Sequence, residues 1–256
     1  ALVIGGQGYI GSVLCEDLIE KNFKIISIDN RIYNQKIFKD LSKKKDYKNY
    51  YLSISNKEKI FNIAKDCDYI IFLASAVGDP ITKKYPKISA KINEKFTLSL
   101  LKKLSKSSIK KLIFISTCSN YGISKKVVKE NSILKPLSVY AKNKVMIEKF
   151  LLKNKNAFNF PIIILRFATA FGWSSRMRFD LTINEFVRNF VFKKNFDLYD
   201  TFTWRPYCHV KDFSRIIYKV AIDQKFMRTD VLNVGSNANN FTKHQIVEKI
   251  EKYLKK

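Results

Sequence analysis

Histidine, proline, glycine and tryptophan are scarce in this 256-residue chain, which has 2 His, 5 Pro, 8 Gly and 2 Trp. Neither histidine lies in a Cys/His cluster, so no zinc ligand set is present and no metal is expected. The cysteines, Cys15, Cys67, Cys118 and Cys208, show neither metal spacing nor a paired framework. They read as reduced thiols of a cytoplasmic protein. No continuous apolar run approaches the roughly 18–20 residues of a membrane span; "FPIIILRF" is half that length and reads as a buried strand. No secretory leader pattern precedes the first strand. The chain opens at Ala1 directly on that strand and stops in a lysine-rich helical stretch. A few residues before the start and a C-terminal segment are expected to be missing.

Acids are also short, 22 Asp+Glu against 48 Lys+Arg, for a formal charge of +26. Such a balance would suit a nucleic acid partner, but only 8 of the basic residues are Arg, the usual base reader and phosphate fork. The lysines are spread over every surface segment ("LSKKKDYKNYY", "LLKKLSKSSIKK") and form no stripe, so they read as a compositional bias that governs solubility. No specific nucleic acid partner and no membrane partner are expected.

What the chain does have is apolar material, 46% hydrophobic with 20 Phe, ample for a core. Short apolar runs ("ALVIG", "KIISID", "YIIFLAS", "KLIFIS", "PIIILRF") alternate with helical patterns near 10–22, 57–65, 88–105 and 138–153. Unalternated runs imply strands buried on both faces, hence an α/β fold with a Rossmann-type, doubly wound parallel sheet. After about residue 167 the rhythm loosens into helices near 180–193 and 211–224 and strands near 205–210 and 231–234. The expected organisation is a core at 1–166 and a small C-terminal lobe at 167–256, interleaved with returning core elements.

Four of the 8 glycines fall in "ALVIGGQGYIGSVL", as Gly5-x-x-Gly8-x-x-Gly11 and Gly6-x-Gly8-x-x-Gly11. Between a strand and a helix, such spacing permits a tight turn and lets the backbone approach a pyrophosphate at the helix N-terminus. Asp29 ends the second strand eighteen residues after Gly11. There a carboxylate accepts both ribose hydroxyls and repels a 2′-phosphate, which favours NAD over NADP, although Arg31 stands two residues on.

Tyr-x-x-x-Lys occurs three times, at Tyr121/Lys125, Tyr140/Lys144 and Tyr207/Lys211. Residues four apart share a face only in a helix. Tyr121 precedes Gly122 at a strand-to-loop transition, and Tyr207 lies in the extended "RPYCHV", where residues four apart are about 13 Å apart. Only Tyr140 opens a helix, "YAKNKVMIEKF", with Val145, Met146 and Phe150 toward a core. Lys144 beside it can lower the phenol pKa from about 10 toward neutrality and make Tyr140 a proton-transfer group.

These motifs, with "FLAS", "STCSNYG", "LRFATAFG", "WRPYCHVKD" and "NVG", stand in the order seen in extended short-chain dehydrogenase/reductases. From residue 1 to about 235 the chain resembles the NAD-dependent epimerase/dehydratase family acting on nucleotide sugars. The resemblance implies Thr117 as the catalytic hydroxyl, Tyr140 as general base and Lys144 as its activator. It implies NAD contacts from Gly5, Gly8, Tyr9, Ile10, Gly11, Asp29, Asn30, Ile54, Leu73, Ala74, Ser75, Phe167 and Thr169. Arg205 matches an arginine that clamps the substrate diphosphate, and Arg178 and Asp180 match a segment that contacts the nucleotide. A nucleotide-diphosphate sugar substrate and a homodimer are expected.

Three departures carry weight. Cys118 and Ser119 stand where related 4,6-dehydratases place Asp-Glu, which disfavours dehydration. Ser53 replaces an Asp that touches adenine, and Thr169 replaces an Asn. Cys118 and His209 read as packing residues. The expected activity is NAD-dependent 4-epimerisation of a nucleotide sugar, with a 4-dehydrogenase or oxidase of the same family as the alternative. From another class, a non-catalytic dinucleotide-binding regulator needs the glycines but not Thr117, Tyr140 and Lys144 together.

Overall fold

A computed structural model describes residues 1–32, 40–77, 85–124 and 126–254. Its centre is a seven-stranded sheet in the order β3-β2-β1-β4-β5-β6-β9. The strands are β1 Leu2–Ile4, β2 Ile25–Asp29, β3 Tyr47–Tyr51, β4 Tyr69–Phe72, β5 Lys111–Thr117, β6 Ile162–Phe167 and β9 Asp230–Val234. Every pairing in the sheet is parallel, the doubly wound order in which β1 and β4 flank the switch point.

The unalternated runs explain why. Successive strand residues point to opposite faces, and here both faces are dry. Leu2, Ile4, Ile70, Phe72, Leu112, Phe114, Ile162 and Ile164 pack on one side, and Val3, Ile25, Ile71, Ile113, Ile163 and Leu165 on the other. The first side is covered by α2 Lys57–Ala64, α4 Thr97–Leu104 and α5 Val139–Lys153, the second by α1 Tyr9–Glu20 and α7 Val210–Ile222.

Strand β3 falls in the stretch read as lysine-rich surface. Among the described residues it is an edge strand, bonded to β2 in register Ser27↔Asn49, and an edge tolerates its polar, half-exposed side chains. The helix expected at 88–105 is built in three pieces. A short α3, Pro86–Ala90, passes through a π-helical turn, Lys91–Phe96, into α4. The widened turn aims Asn93 inward, to 5% exposure.

Beyond β6 a small second sheet forms from β7 Thr169–Phe171, β8 Arg205–His209 and β10 Asn240–Phe241. β7 runs parallel to β8 and β10 antiparallel to it. Helices α6 Thr182–Val191 and α8 Lys243–Leu254 close it around Phe186, Tyr207 and Ile246. The returning α7 and β9 tie this region to the main sheet, with Phe213 of α7 stacked on Phe167 at 3.9 Å between ring centroids.

Among the described residues two lysines are buried. Lys111 is 1% exposed and donates to the carbonyls of Val220, Ala221 and Asp223 at 2.6, 3.2 and 3.3 Å. It thereby caps the negative end of α7. Lys144 is the other. Among the described residues no helix is long and apolar enough to cross a membrane, and no three His, Cys, Asp or Glu side chains gather as a metal site.

Candidate active site

A cleft of about 1590 Å³ opens along the carboxyl ends of the strands. Single-ligand pockets run about 300–1,000 Å³, so this one has room for two ligands side by side. Every residue expected to serve catalysis, NAD or the substrate borders it: Gly5, Gly8, Tyr9, Ile10, Gly11, Asp29, Asn30, Ile54, Leu73, Ala74, Ser75, Thr117, Tyr140, Lys144, Phe167, Thr169, Arg178, Asp180 and Arg205.

At one end β1 turns into α1. Gly5 adopts φ +93° and lies so close to the next strand that a Cβ would sit 2.8 Å from the Ala74 nitrogen. A Cβ on Gly11 would come within 2.2 Å of the Gly5 carbonyl. Gly8 is the N-cap of α1 with no side-chain cap, and the first turn has no acid. The first-turn N–H groups and the positive end of the dipole therefore face the cleft uncapped by any side chain, an arrangement suited to phosphate.

Beside it, Asp29 accepts from the backbone N–H of Gln7 at 3.1 Å and of Arg31 at 2.8 Å. Its carboxylate is thus fixed at the tip of β2. Leu73 and Ala74 both donate their N–H to the Ile4 carbonyl at 2.8 Å, which carries the chain beneath the loop. These residues fit the adenosine and pyrophosphate of a dinucleotide.

In the middle of the cleft, Thr117 ends β5 and its Oγ1 accepts from the Ser119 N–H at 3.2 Å. Ser138 caps α5 by accepting from the Ala141 N–H. Tyr140 therefore sits in the first turn, and Lys144 lies one turn further on the same face. The Lys144 ammonium is 5.8 Å from the centre of the Tyr140 ring and 4.8 Å from that of Phe114, and it donates to the Ile115 carbonyl at 2.8 Å. Burial pushes its pKa down to about 8, against an upward pull from Glu148. It stays largely charged at neutral pH but close to titrating.

The other two tyrosine–lysine spacings dissolve. Lys125 lies outside the described residues. Tyr121 is 5% exposed and is used up in a buried network. It accepts from Arg166 Nη1 at 2.8 Å and donates to Asn233 Oδ1 at 2.6 Å, and burial raises its pKa despite Arg166. Tyr207 points into the core of the second sheet at 1% exposure, while Lys211 begins α7. Cys118 borders the cleft, but burial pushes its thiol up to about 11, so it is no nucleophile at neutral pH. His209 caps α7 by accepting from the Lys211 N–H at 3.3 Å and lies edge-on to Phe171. Burial lowers its pKa.

The far wall belongs to the 167–256 region. Arg178 pairs with Asp180 at 2.5 Å. Burial alone would raise the Asp180 pKa, but hydrogen bonds and charge from Arg178 bring it below the usual carboxylate value. Arg205 opens β8 with its side chain exposed at the cleft.

Several contributors escape a reading of the sequence. Asn93 accepts from Ser75 Oγ at 2.9 Å and from the Ala76 N–H at 2.7 Å, and donates to the Ala76 carbonyl at 2.9 Å. It fixes the segment that follows β4. The available signal is an Asn among Ile92, Phe96 and Leu100 on the inward side of an amphipathic helix. Asn184 donates to Tyr9 Oη at 3.2 Å and to the Arg178 carbonyl at 3.0 Å, and Tyr9 donates to the Gly172 carbonyl at 2.6 Å. The start of α1 is thereby pinned to the loop carrying Arg178. Nothing local to the sequence announces that pairing.

Known proteins resemble this chain in sequence and in fold. The chain matches the NAD dependent epimerase/dehydratase family over residues 1–235. It is 25% identical to a UDP-glucuronate 4-epimerase of Thermodesulfobacterium geofontis, over all of this chain and 80% of the relative. The solved UDP-glucuronic acid 4-epimerase of Bacillus cereus, in complex with UDP-glucuronic acid and NAD, superposes with a TM-score of 0.88 at 25% identity, covering 100% of this chain and 83% of the other. A dTDP-glucose 4,6-dehydratase of Bacillus anthracis in complex with NAD gives 0.84 at 26%, covering 100% and 81%. By sequence order, sheet topology and family match, this chain belongs to the NAD dependent epimerase/dehydratase family.

Proposed function

We propose that the protein is an NAD-dependent epimerase acting at the 4-position of a nucleotide-diphosphate sugar. The observation that carries this reading is the meeting of Tyr140, Lys144 and Thr117 in the cleft that the uncapped start of α1 and Asp29 also face. A regulator that merely bound the dinucleotide would need only the second group.

When bound, NAD supplies a hydride acceptor and donor. The glycine turn and the start of α1 take its pyrophosphate, and Asp29 takes the adenosine ribose hydroxyls. Tyr140 as phenolate removes the proton of the sugar 4-hydroxyl, and Thr117 shares that hydrogen bond. The Lys144 ammonium favours the phenolate by its charge. Arg205 offers a guanidinium fork to the substrate diphosphate, with Arg178 and Asp180 on the nucleotide side. Residues 167–256 thus act as the substrate lobe. An epimerase differs from a 4-dehydrogenase in whether the 4-keto sugar turns within the cleft before Tyr140 returns the proton. Cys118 and Ser119 after Thr117 offer no acid pair for water loss, which favours epimerisation over 4,6-dehydration.

The test is incubation with NAD or NADP and a panel of UDP-, GDP-, dTDP- and CDP-sugars, followed by NMR of the sugar and NADH absorbance. Inversion at C4 without net NADH is the expected result. Stoichiometric NADH marks a dehydrogenase, a 4-keto-6-deoxy product a dehydratase, and no consumption of any sugar a binding module.

A further inference from the structure

Three charges are buried together beneath the Tyr140–Lys144 pair. Lys144, Glu148 and Arg166 are 6%, 1% and 4% exposed, which unpaired charges do not tolerate. Glu148 follows Lys144 by four residues, so the two face the same way along α5. Its carboxylate accepts from Arg166 Nε at 3.1 Å and Nη2 at 2.7 Å, and from Asn120 Nδ2 at 2.8 Å. Arg166, from β6, is itself held by Tyr121 Oη and by the Glu130 carbonyl at 2.9 Å. Arg166 thus contacts the carboxylate directly, whereas Lys144, hydrogen-bonded to the Ile115 carbonyl, feels the same buried charge from one helical turn away without an ion pair to it.

We propose that Glu148 and Arg166 are opposed positioning residues: the Glu148 carboxylate keeps the Lys144 ammonium protonated beside Tyr140, and Arg166 limits how firmly it does so. This rests on the reading of Tyr140 and Lys144 as the proton-transfer pair.

The other groups around Lys144 cannot take the role. From β5 it meets the Phe114 ring and the Ile115 carbonyl, neither of them titratable. The turn after β5 contributes Cys118 and Tyr121, both with raised pKa values, hence neutral at working pH. The π-helical turn contributes Glu94, which reaches α5 at Asn143 through a 3.5 Å hydrogen bond, while Lys91 and Lys95 are exposed. Glu148 is the one buried carboxylate on the Lys144 face of α5. The three buried charges sum to plus one, a field that favours a phenolate at Tyr140.

The experiment measures the titration of Lys144 in the cofactor-free protein, as the pH dependence of the difference in urea unfolding free energy between each protein and its Lys144→Met counterpart. In the unaltered protein the difference should change below the unfolded pKa of about 10.4 down to an onset near pH 8, which is set by the folded pKa. Glu148→Gln should move that onset down by about 1–2 pH units and Arg166→Met should move it up, because one removes the attracting charge and the other the competing one. General destabilisation moves neither in a preferred direction. A second readout is the alkaline limb of the pH–rate profile for turnover, which should move the same two ways.

Shifts in opposite directions support the proposal. A difference flat across about pH 6.5–9.5 in the unaltered protein overturns it, as do equal onsets in all backgrounds. Should Glu148→Gln not fold, the sign of the Arg166→Met shift decides alone. Should Arg166→Met not fold, Glu148→Gln decides. If neither folds, Glu148→Asp decides: it keeps the charge but draws it back, so the onset should move down, and an unmoved onset overturns the proposal. If the onsets move as stated but no nucleotide sugar is consumed, the electrostatic inference stands and the reading of the pair as a proton device falls.

Discussion

Tyr140/Lys144 and Tyr207/Lys211 have the same spacing and opposite fates. On α5 the four-residue step is one helical turn, and both side chains face the cleft. At the β8–α7 junction the step crosses from a strand to a helix. Tyr207 goes into the core of the second sheet, and Lys211 starts the helix that covers the first. Spacing carries chemical meaning only when the backbone between the two residues is known. Tyr121 teaches a second lesson, since it borders the same cleft but spends its hydroxyl on Arg166 and Asn233.

The sharpest way to break this comparison is Tyr140→Phe, which keeps ring and helix but removes the hydroxyl. Loss of a general base costs about 10²–10⁴ in rate, so single-turnover hydride transfer, read as NADH absorbance, should fall by that order with NAD affinity little changed. Equal activity in Tyr140→Phe, Tyr121→Phe and Tyr207→Phe would refute the assignment.

Lys144, buried on its helix, adds a pH signature to the comparison. The folded pKa of about 8 lies below the roughly 10.4 of an unfolded lysine. Between those values the unfolded chain holds the proton and the folded one does not, so stability rises with pH across that window. The rise is on the order of 3 kcal/mol, should be visible in urea melts of the unaltered protein, and should vanish in Lys144→Met.

Tyr121→Phe is a smaller and different perturbation. It strips an acceptor from the buried Arg166 guanidinium, which should lower unfolding stability by about 1–3 kcal/mol while chemistry suffers less than in Tyr140→Phe. Tyr207→Phe should have the smallest effect. Its hydroxyl is buried with no hydrogen-bond partner among the described residues, so removing it should leave stability within about 1 kcal/mol of the unaltered protein and need not lower it.

Much of this was legible because its physical cause is local. Unalternated strands announce a sheet covered on both faces, and glycines at Gly5 and Gly11 announce a turn with no room for a Cβ. Asp29 ends a strand wherever that strand lies. Edge strand β3 was not legible, because its Lys48 and Asn49 carry the polarity of a surface segment and only its partner β2 makes it a strand. Asn93 was readable at best as a polar interruption, since the π-helical turn that aims it at Ser75 and Ala76 is a tertiary accommodation.

By itself, then, the sequence determined the elements, their parallel winding and the helix that sets Tyr140 beside Lys144, each a matter of periodicity within some twenty residues. Only the tertiary structure decided which charges share the interior. Glu148 and Arg166 stand eighteen residues apart on α5 and β6, and Tyr121 and Asn233 are 112 apart. A buried lysine titrates according to the carboxylate that faces it and the cation that competes for that carboxylate, and contacts over such separations leave no periodic trace in the chain.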